Sequence, residues 1–270
     1  MGLTRPKVGI VGGTGRMGSW LARLLEGRGL TVLCAGRKTD LSPSEMVRQC
    51  DVVVISVPIA ETVRVIREIG PLVSEDGLLM DLASLKKGPV EAMLKYSRAQ
   101  VVGIHPLFGP EIKSNSGLRV AICPGRGERG LKWITDIFFV EGFKVTVLEP
   151  EEHDRMMGLI QGVNHFSTLA LALCISRSGF ELEDLVNGST QTFHQRLERI
   201  RSTMGQPAEL FGSLLMDNPA AREFIEHYLE SVEQLIRITR TKDQKAFGEL
   251  FESLKRVFGA GCVGEREITT

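Results

Sequence analysis

This 270-residue chain carries no net charge: 33 Lys and Arg balance 33 Asp and Glu. It has no basic surplus of the kind that nucleic acid or an anionic membrane surface calls for, so a small-molecule substrate is the expectation. Cysteine is scarce. Cys34, Cys50, Cys123, Cys174 and Cys262 are odd in number and show neither C-x-x-C nor zinc-ligand spacing, and they read as reduced residues, mostly core fillers, with no metal site. Residues 1–7 run straight into an apolar strand, without the longer apolar core and small-residue cleavage site of a secretory signal, so a cytoplasmic chain is expected. No charge-free apolar run is long enough to span a membrane, because Gln161, Asn164 and His165 interrupt the longest one. Internal repeats and low-complexity linkers are also missing. What is left is a globular composition, 43% hydrophobic, with length for two domains and a sizeable core.

Two halves differ in periodicity. From residue 7 to about 150, short β-branched apolar runs alternate with helical patterns, as in a parallel sheet covered on both faces. Strands are expected at 7–11, 31–35, 52–57, 77–81, 101–104, 119–123 and 144–148. A first helix over 17–30 has Met17, Leu21, Leu24 and Leu25 on one face. After Glu149-Pro150 the strand signal fades and long helical patterns follow. The predicted organisation is a doubly wound α/β domain over 1–150 and an all-α domain over 151–270. The stretch from His153 to about 176 is apolar nearly all round, as in a helix buried in a bundle or a subunit interface. Asn218-Pro219 reads as an N-cap followed by Pro at the first helical position, ahead of the amphipathic series Phe224, Ile225, Tyr228, Leu229, Val232, Leu235 and Ile236.

Between the first strand and the first helix, Gly13-Thr14-Gly15-Arg16-Met17-Gly18 satisfies G-x-G-x-x-G. In that position the glycines allow a tight turn, close approach of a pyrophosphate and tight helix–strand packing, and the helix N-terminus offers free N–H groups. The second strand ends at Cys34-Ala35-Gly36-Arg37-Lys38, with two cations where an NAD site commonly has an acid. Arg37 and Lys38 suit a 2′-phosphate, which favours NADP, and NAD remains compatible with the glycines. Val57 and Pro58, at the end of the third strand, fall in the same crevice.

Chemistry is expected at Gly103-Ile104-His105-Pro106-Leu107-Phe108-Gly109-Pro110, read as a proline-stiffened loop just past a strand that aims one imidazole. A stiff turn with a surface histidine is the plainer alternative. Ser84, after the fourth strand, is placed to orient a hydroxyl or His105, or to cap a helix. Gln161, His165 and Thr168 form a polar stripe on an apolar helix, satisfied by backbone or lining a ligand cavity near the domain junction. His153-Asp154 reads as the cap of that helix.

Residues 10–18, 54–59, 80–89, 103–110 and 153–168, in this order and spacing, resemble the TyrA family of prephenate and arogenate dehydrogenases over nearly the whole chain. The blocks around His105 and from His153 to His165 are the specific ones. The resemblance implies a Rossmann domain, a helical domain that forms a homodimer, and oxidative decarboxylation with hydride transfer to NAD(P). It assigns His105 as the proton acceptor for the ring hydroxyl, Ser84 as its helper, and His165 and Gln161 as substrate-pocket residues. The family's carboxylate-binding arginine falls on Arg201 when aligned at Pro207 and on Ser202 when aligned without gaps; Arg201 is the choice and Arg199 the reserve. Other two-domain reductases of the β-hydroxyacid or pyrroline-carboxylate type share only the cofactor half of this pattern. A non-enzymatic NADP-binding redox sensor would have no use for His105, Ser84 and His165 together.

Overall fold

A computed structural model describes residues 5–110, 112 and 114–259; Cys262 lies outside the described residues. Contacts divide the chain into two compact units, Met1–Glu223 and Phe224–Thr270.

The first unit is built on a seven-stranded sheet. Its strands are β1 (Val8–Val11), β2 (Val32–Ala35), β3 (Val52–Ile55), β4 (Leu78–Asp81), β5 (Gln100–Pro106), β6 (Arg119–Arg126) and β7 (Lys144–Val147), in the order β2-β1-β3-β4-β5-β6-β7. The first five are parallel to one another. Side chains alternate between faces. Val8, Ile10, Val52, Val54, Leu78, Met80, Val102 and Ile104 pack on one face with Trp20, Leu21 and Leu25 of α1 (Arg16–Gly27) and Ile134 and Phe138 of α5 (Glu128–Val140). Val11, Val53, Ile55, Leu79 and Val101 pack on the other, against α2 (Pro43–Val47), α3 (Ile59–Ile69) and α4 (Lys87–Tyr96). Apolar burial on both faces is what those near-continuous β-branched runs encode.

Two features depart from the sequence expectation. β6 runs antiparallel to β5, because the connection between them holds no crossover helix among its described residues. Also, His105 is not in a loop: β5 continues through His105 and Pro106, which pair with Ala121 and Val120 of β6. Leu107 N donates to Arg119 O on that side. The nitrogen of Pro106 therefore faces the other side, where β4 has already ended opposite Gly103, and its missing N–H costs no ladder bond.

After β7 the chain is helical. α6 (Pro150–Met157), a π-helical turn (Gly158–Val163) and α7 (Asn164–Ser176) form one continuous run, followed by α8 (Leu182–Asn187), α9 (Gln191–Met204) and α10 (Ala208–Met216). By length and composition alone the run Pro150–Ser176 is sufficient to cross a membrane. No described residue of α7 is buried within the chain, and Leu159, Ile160 and Leu173 are all more than half exposed. Of the two settings expected for this apolar helix, a bundle core inside the chain is thus not what the fold provides.

α11 (Pro219–Thr241) starts as expected after Asn218, whose Oδ1 accepts from Ala220 N at 3.1 Å. In the second unit, the residues of α11 from Phe224 onward are followed by Lys242, which takes a left-handed φ of 54°. Asp243 then caps α12 (Gln244–Phe258) by accepting from Ala246 N.

Candidate active site

The strand order reverses between β1 and β3, and ligand crevices in open α/β sheets open at such a point, beyond the carboxyl ends of the strands. The glycine loop lies there. A Cβ on Gly13 would sit 2.3 Å from Cys34 Sγ, one on Gly18 2.4 Å from Gly12 O, and one on Gly15 3.1 Å from the same oxygen. Gly12, just before the motif, is equally constrained: its φ is +82° and a Cβ would lie 2.2 Å from Ser56 O. The repeated Gly-Gly was its sequence signal. α1 begins at Arg16 with no side-chain cap bond at Gly15 and no acid in its first turn, so its N-terminal N–H groups and dipole suit an anion. These residues fit a dinucleotide pyrophosphate. Met17 is half-buried against the core, whereas Arg16 reaches outward to donate from Nη1 to Gln206 Oε1 at 2.7 Å.

Arg37 and Lys38 are exposed immediately beyond β2, in a turn held by Thr39 Oγ1, which accepts from Gly36 N at 2.8 Å. Val57 is half-buried, its Cγ1 3.3 Å from the point a Gly12 Cβ would occupy, and Pro58 is exposed as the residue preceding α3.

Three strands along, His105 is 3% exposed. Its Nδ1 is hydrogen-bonded to Nε2 of His153 at 2.9 Å, and Gln161 Nε2 lies 3.4 Å from its own Nε2. His153 Nδ1 in turn is bonded to Asp154 Oδ1 at 2.8 Å. Burial, with the charge of Lys86 and the proximity of His153 adding to it, holds the His105 imidazole well below its ordinary 6.5. Lys86 is fully buried, paired with Asp81 and donating from Nζ to Ile104 O at 2.9 Å, so it grips the strand one residue before His105. Burial pushes the Asp81 carboxyl up, against the pull of Lys86. Ser84 is half-buried on the loop between Asp81 and Lys86.

His153 and Asp154 do not cap their own helix, as the sequence suggested. Asp154 Oδ1 accepts from Lys86 N at 2.7 Å and Oδ2 from Lys87 N at 3.0 Å, which caps α4. Asn218 Nδ2 donates to Asp154 O at 2.8 Å. Asp81 and Lys86 were not singled out from sequence, and Asn218 was read only as a helix cap. Lys86 looks like a surface residue until the fold buries it.

The π-helical turn brings the second half of the polar stripe into place. In a regular α-helix, Gln161 and His165, eight and twelve residues after His153, would lie about 80° and 120° around the axis from it. A turn closed i→i+5 takes up one extra residue and brings both back to within about 20°. Gln161 thereby meets His105. The Gln161 Oε1 and His165 Nδ1 atoms are buried without a hydrogen-bond partner among the described residues. Thr168 takes the backbone outcome, donating to Asn164 O at 2.8 Å. The His165 ring packs edge-on against Phe211, and burial, then the nearby charge of Arg199, lowers its pKa from 6.5.

Arg201 is not brought to this cluster. Its side chain is 82% exposed, pairs with Glu198 at 3.5 Å, and borders a separate cavity of about 650 Å³ with Phe180, Leu182 and Leu197. Ser202 is exposed. The cation felt at His165 is Arg199, and the two residues from it to Arg201 turn the side chain by about 200° around the helix.

Comparison with known proteins places these observations. Residues 32–138 match the family model described as prephenate dehydrogenase, nucleotide-binding domain, and residues 149–256 the one described as prephenate dehydrogenase, dimerization domain. The chain is 29% identical, over 95% of its length, to a probable arogenate/prephenate dehydrogenase of Methanocaldococcus jannaschii, and it spans 62% of that protein. It is 31% identical over 94% of its length to the T-protein of Haemophilus influenzae, of which it covers 67%. Among solved structures, prephenate dehydrogenase from A. aeolicus in complex with hydroxyphenyl propionate and NAD+ superposes with a TM-score of 0.76 at 19% identity, over 94% of this chain and 98% of that one.

Proposed function

Because the chain belongs to the prephenate dehydrogenase family, we propose that it oxidatively decarboxylates prephenate, with its amino counterpart arogenate as the alternative substrate and NAD(P) as hydride acceptor. One observation carries this reading: a buried imidazole, His105, at the end of β5, with one nitrogen held by His153 and the other turned to Gln161. Bound nicotinamide supplies the hydride acceptor. The substrate's ring hydroxyl donates to His105 Nε2, and its oxygen accepts from the Gln161 amide. As the hydroxyl-bearing carbon gives up hydride, His105 takes the proton, which suits an imidazole kept neutral by burial. The ring carboxylate leaves as CO2, its bonding pair aromatises the ring, and the proton returns to the phenolic oxygen. Ser84 helps to hold the hydroxyl, and His165 lines the pocket. A substrate carboxylate needs a cation, and Arg199, whose charge acts on His165, is the candidate.

Arg37 and Lys38 support NADP over NAD. On this reading Arg37→Ala weakens NADP about tenfold more than NAD, the worth of one charge-assisted hydrogen bond, as measured by cofactor titration. The exposed apolar side chains Leu159, Ile160 and Leu173 support a homodimer through the helical half. The deciding experiment is a spectrophotometric assay of the purified chain with prephenate and with arogenate, each with NAD and with NADP. Reduction of cofactor with neither substrate overturns the proposal, and the better substrate fixes the name.

A further inference from the structure

Behind the His105 ring, two further side chains stand in line. His105 Nδ1 is 2.9 Å from His153 Nε2, and His153 Nδ1 is 2.8 Å from Asp154 Oδ1. Asp154 already accepts the backbone N–H groups of Lys86 and Lys87 at the start of α4. A carboxylate only accepts, so His153 Nδ1 must donate to it. A neutral imidazole donates from one nitrogen and accepts at the other, so His153 Nε2 accepts and His105 Nδ1 donates. The one lone pair left over is on His105 Nε2, the atom that faces Gln161.

We infer that His153 and Asp154 are positioning residues: they lock His105 in the Nδ1–H tautomer, present Nε2 as the proton acceptor, and hold the charge that arrives with the proton. The inference rests on the proposed role of His105 in taking the hydroxyl proton. In that step the substrate O–H bond breaks and an Nε2–H bond forms. The Nδ1 proton stays in the bond between the two rings, so the histidine pair carries one positive charge against Asp154 until the phenolic oxygen takes a proton back. The charged groups facing the pair are Lys86 ahead of α4, Asp154 on α6 and Asp81 at the end of β4; Gln161 faces it as a neutral group. With the tautomers reversed, His153 Nδ1 would turn a lone pair toward the Asp154 carboxylate, so the order of donors is set from the carboxylate outward.

The test reads the tautomer directly, by long-range 15N–1H correlation on the full chain labelled at histidine, without substrate. The wild type is expected to show His105 protonated at Nδ1. His153→Phe keeps a ring but no acceptor; it should move His105 toward the Nε2–H form and lower kcat about 10²-fold with the cofactor KM unchanged. His153→Gln, whose amide oxygen reaches the place of Nε2, should restore the tautomer and recover about tenfold of that loss. Should His153→Phe fail to fold, Asp154→Asn and the wild-type spectrum carry the test. An Nε2–H tautomer in the wild type overturns the inference, and so does His153→Phe with tautomer and kcat both unchanged. If the Nδ1–H tautomer is found and neither prephenate nor arogenate is turned over, the positioning stands and the functional reading is what fails.

Discussion

His105 concentrates the chemistry of the candidate site in one atom, Nε2. Replacing it with Asn removes the proton acceptor and leaves the glycine loop untouched. His105→Asn should lower kcat by about 10²–10⁴-fold, while cofactor affinity, read by fluorescence titration, stays within a factor of about two. Because burial lowers the imidazole pKa, the base stays unprotonated below pH 6.5, and the acid limb of kcat/KM should fall below that value. A limb at or above 6.5 would mean another group titrates. The arginines separate in the same way. Arg199 acts on His165, whereas Arg201 pairs with Glu198 beside a different cavity. Arg199→Ala should raise the substrate KM by about tenfold or more, the loss of a charge-assisted bond. Arg201→Ala should leave it nearly unchanged, and equal effects would return the assignment to Arg201.

The helical run through the π turn sets the geometry of Gln161 and His165. Inserting one Ala between Met156 and Met157 rotates both by about 100° relative to His153. It should lower kcat/KM by about 10²-fold or more. Deleting Ile160 removes the extra residue of the wide turn and keeps the phase, so it should be the milder change in the same steady-state assay. The strands were legible in sequence because each is a short local apolar run buried on both faces. The extension of β5 through His105 was not, since it depends on pairing with β6, a partner whose register no local pattern at Pro106 announces. Asp154 was read as the cap of its own helix for the same reason: capping chemistry is legible, but that it caps α4, 67 and 68 residues earlier, is a product of the tertiary fold. The π turn leaves no local mark either, because Gly158–Val163 differs little from an ordinary apolar helical stretch.

Across the molecule, the glycine loop, the His105 block and the His153–His165 block carried both the resemblance and the site, and the family matches cover both halves of the chain. What composition could not supply was which charges the fold would remove from water. Lys86 and Asp81 are fully buried, His153 is buried and Asp154 nearly so, while Arg37, Lys38 and Arg199 stand in solvent. Dissolved ions screen exposed charges over about 8 Å at physiological ionic strength and reach buried ones far less. Raising the salt concentration should therefore increase the KM for the anionic substrate and for the cofactor several-fold and leave kcat within about a factor of two. A kcat that falls in step with KM would mean that water and ions reach the line from Asp154 to His105. Ionic strength thus distinguishes two electrical environments in one site, an outer one that gathers anions and an inner one sealed from the bath.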